Sequence, residues 1–226
     1  MEVGYFGKLP GLGDFLQRNV APELVQSFED WIYPAFEATI QALGPAWQQH
    51  YFTSPIWRFV VPAGLWHEYA VTGFMMPSID KASRCFPFVV ICQATSNVNP
   101  LMWAMQLDAQ HQQAENLALD LLEVVDPDQF SLQQCLQQIY ADFSEGQCQS
   151  HSPEPCATTQ SNEIQRCALS NQDLVASHFD LLQHAYSQQL CCWWTSGGPE
   201  HPPCIHYYHG LPSAAAFTNL ICNENI

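Results

Sequence analysis

Along the N-terminal half of the chain the spacing of apolar residues changes period several times, and each change marks an element. Glu2 to Phe6 has the pattern of a short strand, and a Gly/Pro loop follows through Gly13, with Asp14 placed to cap what comes next. From Pro22 the apolar positions are Leu24, Val25, Phe28, Trp31 and Ile32, then Phe36, Ile40 and Leu43, which is one helical face running to Gly44. Pro34 inside this stretch predicts a kink or a fresh first turn. Trp47 and Tyr51 add a short helix. Three β-rich runs come next, Ile56 to Val61, Glu68 to Met75 and Phe86 to Ala94, the last fully apolar as a sheet centre requires. Asn99-Pro100 predicts the start of a long helix reaching about Val125, Asp126-Pro127 breaks it, and Asp128 or Ser131 opens another to Phe143.

Residues 145–162 are rich in Ser, Pro and Gln without any period and read as a flexible, exposed loop. Beyond them the pattern predicts a strand over Ile164 to Leu169 and a helix from Asn171 to about Gln189. Strands over Leu190 to Thr195 and Cys204 to Tyr208 flank a Gly-Gly-Pro turn, and Pro212 starts a last short helix. Helices alternating with strands that are apolar on both faces predict an α/β fold, a three-layer α/β/α sandwich with a mixed central sheet, in a single domain over 1–226.

Composition narrows the functional classes. The 226 residues are 47% hydrophobic, enough for a sizeable core, and only 12% charged. Six basic residues face 22 acidic ones, for a net charge of −16. The imbalance is uneven: five of the cations (Lys8, Arg18, Arg58, Lys81, Arg84) lie before residue 85, and only Arg166 lies beyond it. Nucleic acid is excluded, because a phosphate backbone is held by clustered Lys and Arg and no such cluster exists. An anionic membrane surface repels such a chain, whereas a basic protein partner suits it. The longest apolar stretch, Phe86 to Cys92, is interrupted by Pro87 and too short to span a bilayer, so a cytoplasmic protein without direct membrane insertion is expected. All ten cysteines lie at or beyond Cys85 and read as small buried hydrophobes in a reducing compartment.

Candidate chemistry is sparse. Gly7-Lys8 lacks the spacing of a phosphate loop, with Glu2 and Leu9 where Gly and Ser or Thr are needed, and Gly11-Leu12-Gly13 lacks the third glycine of a dinucleotide fingerprint. Pro10, Gly11 and Gly13 read instead as a tight, φ-demanding turn presenting Lys8 and Asp14. Cys204, His206 and His209, with Cys191, Cys192 and His201 nearby, are the best zinc or thiol candidates, although no CxxC pair is present. No Gly-x-Ser-x-Gly elbow marks a nucleophile, and Asp126 and Asp128 flank a proline where capping explains them. Arg58 is more informative. It shares a strand face with Ile56 and Val60, and a buried guanidinium needs a carboxylate, for which Asp14 and Asp80 are the candidates.

Gly4-Tyr-Phe-Gly-Lys-Leu-Pro10, Gly13-Asp14-Phe15, Trp31, Pro55-Ile-Trp-Arg-Phe59, Pro77-Ser-Ile-Asp80, Arg84 and Phe86-Pro87 resemble, in order and spacing, the TagF (ImpM) family of type VI secretion accessory proteins. Trp193-Trp194-Thr-Ser-Gly197 and Gly210-Leu-Pro212 resemble its later signatures. The chain departs from the family at Ala82-Ser83, where Val-Gly is usual. The resemblance implies a three-layer α/β/α domain and a cytosolic, non-enzymatic regulator. Such proteins restrain assembly or firing of the apparatus after translation, commonly by binding the forkhead-associated scaffold protein Fha; it implies no catalytic residue and no cofactor.

Two polar loops, Lys8 to Asp14 and Ser78 to Arg84, then form a mixed-charge patch expected to meet the protein partner, with Lys8, Asp14, Asp80, Lys81 and Arg84 as its charges and Leu9, Leu12 and Ile79 as its apolar anchors. The rival role for the same loops is structural, bracing Arg58. Two alternatives stand beside this patch: a metal or thiol site in the C-terminal Cys/His group, and a partner surface on the acidic helices between Asn99 and Phe143.

Overall fold

The computed structural model describes residues 1–141, 143, 167–168 and 190–222, and the expected loop at 145–162 and helix from Asn171 to about Gln189 lie outside the described residues. Strands β1 (Glu2–Gly7) and β2 (Leu16–Arg18) form a hairpin, followed by helix α1 (Pro22–Leu43), a 3-10 turn and the short α2 (Trp47–Thr53). Strands β3 (Trp57–Val61), β4 (Val71–Met76) and β5 (Phe88–Gln93) precede three helices, α3 (Pro100–Gln106), α4 (Asp108–Leu121) and α5 (Gln129–Tyr140). The chain closes with β6 (Cys167–Ala168), β7 (Leu190–Thr195), β8 (Cys204–His209) and α6 (Ala214–Cys222).

Local chemistry accounts for most boundaries. Pro22 opens α1, where its missing N–H costs nothing, and Gly44 ends it at φ 55. Pro34 neither breaks α1 nor restarts it, because the residue lies on the exposed face, where the unpaired carbonyl one turn back meets water. Asn99 and Asp128 cap α3 and α5 by accepting backbone N–H bonds. The expected long helix from Asn99 to Val125 is two helices, divided at Leu107 (φ −91, ψ 5), whose fully buried side chain takes the chain round a corner.

The α/β class holds, but the sheet is not mixed. Its eight strands run in the order β2-β1-β5-β4-β3-β7-β8-β6, and every described pairing is antiparallel. The reason lies in the connections. Parallel neighbours need a helical crossover between them, whereas here the helices join β2 to β3 and β5 to the last strands, none of which are neighbours. The adjacent pairs β1/β2, β3/β4, β4/β5 and β7/β8 are joined by loops alone.

Alternate strand residues belong to two cores on opposite faces. Phe6, Phe59, Val61, Met75, Val89, Ile91 and Trp193 pack with Leu24, Phe28 and Ile32 of α1, Tyr51 of α2 and Phe217 of α6. Tyr5, Phe74, Met76, Phe88, Val90 and Cys92 pack with Trp103, Ala114, Leu132 and Leu136 from α3, α4 and α5. Helices therefore cover both faces, and the loops at the strand ends are left to meet solvent.

Candidate functional site

The β4–β5 connection winds around one carboxylate. Asp80 is 1% exposed. Its Oδ1 accepts the backbone N–H of Ala82 and of Arg84, both at 2.9 Å, which closes an Asx-type turn. Its Oδ2 meets Arg84 Nε at 2.6 Å and Lys8 Nζ at 3.1 Å. Burial by itself raises the Asp80 carboxyl, but the Arg84 N–H and the Lys8 and Arg84 side chains outweigh it and hold the group well below the usual carboxylate range. The β1–β2 loop is drawn in by the same groups: Arg84 donates to the Gly13 carbonyl at 3.1 Å, and the Lys81 N–H donates to the Leu12 carbonyl at 2.8 Å. From the other side Tyr51 anchors the loop start, its hydroxyl accepting from Ser78 N–H and donating to Ser78 C=O, both at 3.0 Å.

Ser83 sits in this turn at φ 62, the left-handed region that costs an L-residue with a β-carbon. The expected φ-demanding glycines are elsewhere. Neither Gly11 nor Gly13 has positive φ; Gly7 does, at 118, and Gly11 is needed for a different reason. A Cβ on Gly11 would stand 2.4 Å from the Val124 carbonyl oxygen, so the β1–β2 loop lies directly on the α4–α5 turn.

The two expected loops thus form one surface, with different assignments within it. Lys8, Asp80 and Arg84 are its fastening, with Asp80 buried and Arg84 exposed. Lys81 and Asp14 are exposed, with no side-chain hydrogen bond among the described residues, and Leu12 and Ile79 are half-buried. Leu9 is not an anchor for a partner: it is fully buried in the core beside α4 and α5, because the loop dives inward before Gly11.

Arg58 has neither Asp14 nor Asp80 as its partner. Its side chain points to the opposite sheet face from Trp57 and Phe59, toward α4, where Asp108, Gln112 and Glu115 make a stripe at i, i+4 and i+7. Nε donates to Glu115 Oε1 at 2.5 Å and a terminal nitrogen to Oε2 at 2.9 Å, a bidentate pair. Gln112 accepts at 2.9 Å and Asp108 accepts from the other terminal nitrogen. Burial opposes the Arg58 charge, but Glu115 and Asp108 hold its pKa above the ordinary value. The loops around Asp80 therefore do not brace Arg58.

Beside this pair lies fully buried His111. Thr72 Oγ1 spends its proton on the Phe59 carbonyl at 2.8 Å, so His111 Nε2, at 3.3 Å, is the donor to it. Nδ1 then accepts from the Tyr140 hydroxyl at 2.7 Å, which assigns a neutral ring. Burial, aided by the Arg58 charge, pushes His111 down to about 3. Sequence reasoning missed this network; the signal was Glu115 and His111 on the same helical stripe as Ala114, Ala118 and Leu121.

In the C-terminal Cys/His group, Cys191 and Cys192 face opposite cores. Burial pushes the Cys191 thiol up to about 12 and Cys192 well above its ordinary value, so neither offers a thiolate near neutral pH. Cys204 Sγ lies 3.6 Å from His206 Nε2, and among the described residues no three His, Cys, Asp or Glu side chains converge to hold a metal ion. Among the described residues, no helix is long and apolar enough to cross a membrane.

The described residues thus form a sheet covered by helices on both faces, with two loops at its strand ends fastened through one buried carboxylate. Over residues 4–140 the chain matches the family described as TagF N-terminal domain, type VI secretion system-associated, and it belongs to that family. A crystal structure of PA0076 from Pseudomonas aeruginosa PAO1 is similar at 32% sequence identity and a TM-score of 0.77, over 98% of this chain and 94% of that one. No curated protein matches the sequence.

Proposed function

We propose that the chain is a non-enzymatic, post-translational repressor of type VI secretion that acts by binding the Fha forkhead-associated scaffold of the apparatus. Family membership supports the association with type VI secretion. The observation that carries the binding reading is the Asp80 fastening: one buried carboxylate holds Lys8 and Arg84 and fixes two loops as a single preorganised surface. Preorganisation lowers the ordering cost of association, which is what a protein-binding loop needs and a mere chain connection does not. Lys81 is exposed on this surface with half-buried Leu12 and Ile79 beside it, and Arg84 stays largely open to solvent while its guanidinium is bonded to Asp80.

Titration calorimetry of the purified chain against the purified scaffold tests the proposal. A saturable complex is expected, weakened at least about tenfold in a Lys81→Glu/Leu12→Ser variant with an unchanged circular dichroism spectrum. No heat with the wild-type chain overturns the choice of partner, and undiminished binding by the variant overturns the choice of surface.

A further inference from the structure

The run Leu121-Leu-Glu-Val-Val-Asp-Pro-Asp128 places two valines where a helix stops, beside acidic residues. In the structure these valines do not turn inward. Val124 is 40% exposed, Val125 84% and Phe130, one turn into α5, 56%. A single exposed apolar residue is ordinary, but three of them within seven positions mark a contact surface. Phe130 lines an open groove of about 500 Å³ with Leu12, Arg18, Asp126 and Asp128, and the two valines immediately precede its Asp126 in the chain. Gly11 lets the β1–β2 loop press against the Val124 and Val125 carbonyls, so this groove adjoins the surface fastened at Asp80.

Charge selects the occupant. Asp128 is occupied as the cap of α5, accepting from Phe130 N–H, Ser131 N–H and the Ser131 hydroxyl. Asp126 is exposed and has no hydrogen bond or ion pair among the described residues, and Asp120 and Glu123 are exposed one turn back. Within the groove, Asp126 and Asp128 stand against one cation, Arg18, whose guanidinium lies over the Phe130 ring, 5.7 Å from its centre. A second copy of a chain with net charge −16 is repelled here. We infer that the α4–α5 turn and the β1–β2 loop together dock a basic segment of a partner protein, one that sets a large apolar side chain against Val125 and Phe130 and a cationic one on Asp126. The inference rests on the reading that this chain acts by binding a protein, and it names the chemistry of the partner.

The probe is a capped peptide alternating arginine and leucine, titrated by fluorescence anisotropy, with its glutamate counterpart as the second arm. The wild-type chain binds the arginine peptide and not the glutamate peptide. Asp126→Lys and Phe130→Ser each weaken binding at least about tenfold, whereas Glu37→Lys, the same charge change at an exposed site on α1, weakens it less than about twofold. Equal losses from Asp126→Lys and Glu37→Lys, or no loss from Phe130→Ser, overturn the inference, since attraction to the whole acidic molecule then suffices. Because the mutated side chains are exposed, folding is preserved, and circular dichroism confirms it. The same variants titrated against the Fha scaffold separate the two claims. Scaffold binding undiminished by Asp126→Lys and Phe130→Ser overturns this surface and spares the proposed function, whereas a wild-type chain that takes the arginine peptide as described but not the scaffold overturns the named partner alone.

Discussion

Replacing Arg58 by methionine keeps most of the volume of a side chain that is 4% exposed and removes the charge between β3 and α4. Glu115, 7% exposed, then loses both of its bonds to Arg58 and is left as a buried carboxylate without its counter-charge. Breaking one side of a buried pair costs about 3–5 kcal/mol, a large share of the roughly 5–15 kcal/mol that stabilises an ordinary domain. Asp108 adds less, because it is 44% exposed and water can take it over. Removing both charges, as Arg58→Met with Glu115→Leu, leaves no stranded ion and is expected to recover most of the loss. Urea unfolding followed by tryptophan fluorescence reads the difference as a shift in midpoint at constant slope, with fully buried Trp193 on the strand next to Arg58 as the reporter. If the single variant loses under about 1 kcal/mol, or the double variant loses the sum of the two singles, the pair is not the buried, mutually dependent ion pair described here.

Ser83→Gly relieves the left-handed strain and is expected to stabilise by about 0.5–1 kcal/mol, raising the melting temperature by about 2 °C in calorimetry. Gly11→Ala forces its Cβ onto the Val124 and Val125 carbonyls and is expected to destabilise by about 1–3 kcal/mol, while Gly13→Ala, with open space around it, changes little. His111 titrates near 3 when folded and near its ordinary 6.5 when unfolded, so between those values the unfolded chain binds the extra proton. Stability therefore falls as pH drops from about 6.5 toward 3, by up to about 1.4 kcal/mol per pH unit, and His111→Gln flattens this slope in unfolding curves taken at several pH values.

The elements legible in the sequence are those whose signal is local. The spacing of Leu24, Val25, Phe28 and Ile32 located α1, and the apolar runs located β3, β4 and β5, because burial on one or two faces writes its period into the chain. The Asp80 turn was legible in part: Pro77-Ser-Ile-Asp80 and Arg84 marked the loop, but nothing local says that Lys8, 72 positions earlier, closes on the same oxygen. The partner of Arg58 was illegible for a related reason. Asp108, Gln112 and Glu115 carry no local mark of burial, and only in the folded chain does this face of α4 meet Arg58 on the sheet. Three-residue β2 is too short to show a period, and the antiparallel order of the sheet depends on which strands become neighbours rather than on any one of them.

Hydrogen exchange of the chain with and without the proposed Fha scaffold bears most directly on the claim that this protein works by contact through the fastened loops. Slowed exchange is expected over residues 8–14, 78–84 and 122–130, with α1 and α6 unchanged. Protection confined to α1 and α6, or no protection at saturating scaffold, contradicts the account.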